Sequence, residues 1–187
     1  MGNKKYRGKY RIESARLKNY DYSASGAYFV TIVTEKRAHY FGEIVKGKMI
    51  LNDIGKKAWD EWYLTLKIRP DMNLIMDEFI VMPNHVHGIV VIGENEYNVD
   101  QNTIVEYKNN FGPQRKNLSS IIRGFKSAVT RNARKMDVKD SVKFGWQERF
   151  HDRIIRDENE LDRIRYYIVK NPDTWERDRN NDDDLWI

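Results

Sequence analysis

Phe79-Ile80-Val81-Met82-Pro83-Asn84-His85-Val86-His87-Gly88-Ile89-Val90-Val91-Ile92 is the most apolar run in the chain, and it carries two of the four histidines. Strand side chains alternate faces, so His85 and His87 project from one face while Val86 points the other way. The spacing makes a ready pair of nitrogen ligands, and equally suits two ordinary core or surface histidines. Pro83-Asn84 breaks the run before the histidines. With Met72 to Met82 as the preceding strand, the break predicts a hairpin whose turn is slightly splayed or longer, because proline opposes the primed turns of two-residue loops. The histidines then sit near one end of a sheet.

Outward from the hairpin, Tyr28-Phe-Val-Thr-Ile-Val-Thr34 is β-branched and aromatic and predicts the first core strand. A short ribbon follows around Glu43 to Ile50. Asn52 offers a helix cap, and Ile54, Ala58, Trp62 and Leu66 recur every four residues up to Pro70. Past a polar, Asn-rich stretch from Gly93 to Arg115, the positions Leu118, Ile121, Ile122, Phe125, Ala128, Val129, Ala133 and Met136 keep helical spacing. Phe150 to Arg156 reads as the last strand. Asp157 caps a final helix, and Pro172 is expected to push Asn171 out of the helical region and close it. Two helices on one face of a four-stranded antiparallel sheet make an α+β, ferredoxin-like fold, with an extra C-terminal helix.

The chain has 187 residues, 40% of them hydrophobic, enough for one packed domain over 26–175. It is flanked by a basic, aromatic arm over 1–25 and an acidic tail over 176–187. Zero cysteines exclude disulfides, zinc-thiolate sites and cysteine nucleophiles. No apolar run reaches the ~18 residues of a membrane span, so a soluble cytoplasmic protein with no membrane partner is expected. The formal charge of +5 leans towards a polyanion. Cations cluster on one side of the helix from Asn117: Arg123, Lys126, Arg131, Arg134 and Lys135, preceded by Arg115 and Lys116. A face of one sign suits phosphate contact. Arg16 and Lys18, interleaved with tyrosines in the arm, suit a nucleic-acid strand in the same way.

On the last helix, Leu161, Ile164 and Ile168 form one stripe. Tyr167 and Asn171 share its flank, while Tyr166 lies nearly opposite the stripe. Helix geometry separates the two tyrosines without making either a nucleophile, and on pattern alone Tyr167 reads first as a boundary tyrosine with its ring half buried. His39 reads as a surface residue, and His151 and Asp152 as structural or DNA-facing.

Met82-Pro83-Asn84-His85-Val86-His87, followed about 80 residues later by Tyr167-Ile168-Val169-Lys170-Asn171-Pro172, resembles the single-tyrosine HUH transposases of the insertion-sequence type. The Tyr-Ile-x-x-Asn-Pro form and the Tyr20-Asp21-Tyr22 arm resemble most the REP-associated tyrosine transposases. The resemblance runs from about Arg16 to Pro172. It implies a bacterial, nucleoid-associated enzyme that nicks and rejoins single-stranded DNA beside a hairpin, with Tyr167 as nucleophile through a 5′-phosphotyrosine. It implies Mg or Mn held by His85, His87 and Asn171, in a monomer or a homodimer. Asn supplies a neutral oxygen suited to such hard cations. Two alternatives share these parts: a non-catalytic hairpin-binding regulator on the same fold, and a rolling-circle replication initiator or relaxase.

Overall fold

The computed structural model describes residue 17 and residues 20–98, 115–136 and 144–177. The arm residues Arg16 and Lys18, most of the polar stretch after Gly93 and nearly all of the acidic tail lie outside them. The elements are β1 (Gly26–Val33), a ribbon of β2 (Gly42–Val45) and β3 (Lys48–Leu51), α1 (Asp53–Ile68), β4 (Leu74–Val81), β5 (His85–Ile92), α2 (Leu118–Met136), β6 (His151–Ile155) and α3 (Glu158–Lys170). A 3-10 helix, Asn171–Arg177, continues α3. The main sheet runs β4-β5-β1-β6 with every pair antiparallel, which is the ferredoxin-like order expected.

Alternation along β5 divides the molecule. Val86, Val90 and Ile92 enter the large core beneath α1 and α2, together with Trp62, Phe79, Ile121, Phe125 and Val129. Trp62 stacks on Phe79 at 4.4 Å and meets Phe125 edge-on. Gly88 is required here: a Cβ would lie 2.4 Å from the Trp62 ring. His85, His87 and Ile89 face the other way. There α3 covers a small cluster of Ile89, Ile155 and Ile168, with Leu161 and Ile164 beside it.

α1 and α3 start where local chemistry dictates. Asn52 Oδ1 accepts from the Gly55 amide at 2.9 Å and caps α1. Arg69, just past its end, donates to the Ser120 carbonyl at 2.7 Å and ties α1 to α2. Asp157 caps α3 through the Glu160 amide. That helix is then held on both flanks. Arg165 donates two hydrogen bonds to Asp77 of β4, at 2.8 and 2.6 Å, and Arg153 of β6 donates to Glu160 at 2.6 Å.

Three expectations change, and the hairpin turn is defined more closely. Met72 closes a 3-10 turn begun by Pro70, and left-handed Asn73 delays the strand to Leu74. The hairpin connection is two residues long, since the Met82 amide donates to the His85 carbonyl at 2.8 Å. Neither Pro83 nor Asn84 has positive φ, so the turn is unprimed. Outside contacts brace it instead: the Phe41 amide donates to the Pro83 carbonyl, and Thr34 donates to the Asn84 carbonyl through its amide and its hydroxyl. Asn171 keeps helical dihedrals, φ −56° and ψ −42°. Proline disfavours that conformation before it without forbidding it, and Pro172 itself fits the first turn of the 3-10 helix. Met136, at the last turn of α2, is 42% exposed and leaves the apolar stripe.

Candidate functional site

The face of β5 away from α1 and α2 holds the site. His85 and His87 are fully buried, and their Nε2 atoms lie 3.0 Å apart. Each ring is fixed from behind: His85 Nδ1 meets Asn84 Oδ1 at 2.8 Å, and His87 Nδ1 meets Thr31 Oγ1 at 2.9 Å. Thr31 is the cross-strand partner of His87 on β1, which is why its hydroxyl arrives on the same face. Phe29, two residues earlier, stacks on the His87 ring at 5.4 Å.

From above, α3 delivers the remaining groups. Tyr167 brings its hydroxyl to 3.3 Å from His87 Nε2, its ring edge-on to Phe29. It is 40% exposed, so one side of the phenol stays open to solvent, whereas Tyr166 is 67% exposed and turned outward. One turn further on, Asn171 is 1% exposed, and among the described residues neither its Oδ1 nor its Nδ2 has a hydrogen-bond partner. An unmet buried amide group costs about 1–3 kcal/mol. Four residues later Trp175 stacks on His85 at 5.9 Å, so Asn171 is bracketed in sequence by two rings that touch the histidine pair.

Among the described residues no three His, Cys, Asp or Glu side chains cluster to hold a metal. The donors available are two imidazole nitrogens and the unpaired amide of Asn171. They fit a divalent cation and would leave it with its full charge, since all three are neutral.

The basic residues divide. Arg123, Arg131 and Arg134 are exposed along α2 and line a groove with Phe144, Trp146 and Gln147. Lys126 lines the same groove, but its ammonium is engaged within the protein: it donates to the carbonyls of Gln147 at 2.7 Å and Glu148 at 3.2 Å, and burial lowers its pKa. Lys116 pairs with Asp71 and lies over the Tyr97 ring, while Arg115 is exposed. The groove wall 144–147 is pinned to the end of β1, where the Gln147 amide donates to the Val33 carbonyl. Val33 is the partner of His85, so groove and histidine pair share one end of the sheet, on opposite faces.

His151 stands across β1 from the site, as partner of Thr31, while Asp152 pairs with Val30 and points to the other face. His39 is exposed and meets Trp175 edge-on at 5.8 Å, at the rim. Sequence reasoning missed Thr31, Phe29 and Trp175. The first two share an alternate-residue pattern on β1, but only the strand register could align them with His87.

No family model matches the chain. An uncharacterized protein of Haemophilus influenzae is 36% identical over 175 residues, which cover 92% of this chain and 94% of that one. The solved structure of a REP-associated tyrosine transposase bound to a REP hairpin superimposes with a TM-score of 0.55 at 16% identity, over 88% of this chain and 74% of that one. No described helix is long and apolar enough to cross a membrane. The chain therefore belongs to one family with the Haemophilus influenzae protein, and its fold is that of a REP-associated tyrosine transposase.

Proposed function

We propose that the chain is a metal-dependent single-strand DNA endonuclease and strand transferase that acts beside hairpin DNA. The observation that carries this reading is the Tyr167 hydroxyl, 3.3 Å from Nε2 of His87 in the histidine pair, with Asn171, one helical turn after that tyrosine, buried without a hydrogen-bond partner among the described residues. His85, His87 and Asn171 would hold Mg or Mn, which when bound polarises the scissile phosphate. Tyr167 attacks phosphorus and loses its proton. The P–O3′ bond breaks, the 3′-oxygen gains a proton, and the 5′-phosphate stays on the tyrosine. One P–O bond replaces another, so the 3′-hydroxyl can reverse the step. Arg123, Arg131 and Arg134, with Arg115, would bind the DNA backbone, and a strand leaving their groove reaches the tyrosine by rounding one end of the sheet. The transposase of like fold is bound to a REP hairpin, which suggests the same class of DNA here.

A regulator that only binds hairpins would use the same groove. It would need neither the Tyr167 contact with His87 nor an unpaired amide at Asn171. Incubation with Mn and a labelled oligonucleotide carrying a hairpin and its flanks tests the proposal. A denaturant-resistant adduct is expected from wild type and Tyr166→Phe and is absent from Tyr167→Phe. An adduct that survives Tyr167→Phe would reassign the nucleophile, and none from wild type with the cognate hairpin would leave the binding-only reading.

A further inference from the structure

The cationic groove on α2 and Tyr167 on α3 lie on opposite faces of the sheet, so a strand that serves both must round the end where β1 stops. The chain that forms this end is the segment 34–41. On one side it is stitched to the groove wall: Thr34 bridges to Trp146, and the Glu35 amide donates to the Gly145 carbonyl at 2.9 Å. On the other side it is stitched to the histidine hairpin and the rim of the site. The Phe41 amide donates to the Pro83 carbonyl at 3.1 Å, and the Thr34 hydroxyl donates to the Asn84 carbonyl at 2.8 Å. His39 meets Trp175, which in turn stacks on His85.

Between these anchors Lys36 and Arg37 have φ of 53° and 52°, in the left-handed region. No other two adjacent non-glycine residues share it among the described residues. That conformation crowds any side chain with a Cβ, and glycine or asparagine usually fills it. Here two long cations fill it and neither is buried, so core packing does not explain them. Lys36 is exposed and pairs with no acid among the described residues. Glu35, the one acid of the segment, is turned onto Gly145, where a Cβ would lie 2.3 Å from its carboxylate. A strained turn, anchored from both sides and presenting charge that packing does not require, suits a ligand contact.

We propose that Lys36 and Arg37 form a phosphate-binding corner, which takes the backbone of a single DNA strand as it passes from the α2 groove to Tyr167. The proposal rests on the DNA-processing reading above and adds a contact that neither the groove nor the histidine site supplies. Lysine and arginine neutralise phosphates without reading bases, so the corner accepts any sequence. Its anchored backbone fixes the place of the bend.

Fluorescence anisotropy of the full-length protein over a salt series tests the corner with two probes: a blunt DNA hairpin, and the same hairpin with oligothymidine flanks on its 5′ and 3′ ends. Lys36→Gly with Arg37→Gly removes both charges and fits the left-handed backbone, so the melting temperature should hold. Lys36→Asn with Arg37→Asn removes the same charges should the glycines loosen the turn. On the flanked probe the fall of log affinity with log salt should become shallower by about 1.4, at about 0.7 per lost contact. On the blunt hairpin it should stay the same. An unchanged slope on the flanked probe, or an equal change on both probes, overturns the corner. The Tyr167 adduct assay separates this outcome from the nuclease reading. An adduct from wild type with an unchanged slope in the variants overturns the corner alone. No adduct from wild type, with the slope still shallower in the variants, overturns the nuclease reading and leaves the corner as a DNA contact.

Discussion

The two faces of the sheet are built to different standards. Beneath α1 and α2, some twenty buried apolar side chains interlock around Trp62 and Phe79. Beneath α3, three buried isoleucines and a few partly buried neighbours suffice. Each face hides a polar group with no hydrogen-bond partner among the described residues: Trp62 Nε1 on the first, the Asn171 amide on the second. The resemblance ends there. The indole N–H arrives with a large ring whose burial outweighs it, whereas Asn171 brings almost no apolar area of its own. A stable side leaves the other free to bury a polar group that packing does not require.

The largest expected effect breaks the stable side. Trp62→Ala should cost about 3–5 kcal/mol by denaturant titration, since the ring has no room to be replaced by water or by collapse. A loss under about 1 kcal/mol would mean that the α-side core is not the seat of stability.

Asn171→Leu acts on the other face with the opposite sign. It removes a buried amide without partners at nearly constant volume, so stability should rise by about 1–2 kcal/mol while Mn affinity measured by calorimetry collapses. Destabilisation with undiminished Mn binding would show that Asn171 serves packing instead.

Next is the clamp on α3. Arg165 hydrogen-bonds Asp77 and holds its carboxyl below the ordinary carboxylate value, partly offset by burial. The folded state therefore favours the ionised form. Its contribution is present above the ordinary value of 3.8 and fades as pH falls through the lowered one. Because Arg165 is 40% exposed, the pair is worth about 1 kcal/mol after screening. Asp77→Asn should lose this much at pH 7 and show a flatter acid limb than wild type. Parallel acid limbs for the two proteins would place the clamp's effect elsewhere.

The smallest effect leaves both faces folded. Arg131→Ala should change stability by under about 0.5 kcal/mol. The log affinity for single-stranded DNA should fall less steeply with log salt, by about 0.7. Lys126→Ala is expected to behave differently, costing stability because its ammonium holds the carbonyls of Gln147 and Glu148. An unchanged salt slope in Arg131→Ala would take the groove out of the DNA path.

Local periodicity made most of the scaffold readable in sequence. The stripe from Leu118 to Ala133, the Asn52 and Asp157 caps and the alternation of His85 with Val86 each depend on neighbours within a turn or two of chain. The same helical wheel put Tyr167 and Asn171 on one flank. It could not say that Tyr167 meets a histidine 80 residues away, or that the hydroxyl behind His87 comes from a threonine 56 residues away. Strand register decides the second contact and the docking of α3 decides the first. Charge pattern says less about two lysines: Lys126 and Lys116 have the sequence context of their arginine neighbours, yet the first donates to the carbonyls of Gln147 and Glu148 and the second pairs with Asp71. Composition fixes how many cations a helix carries, and only the chain packed against that helix decides which of them remain available to a phosphate.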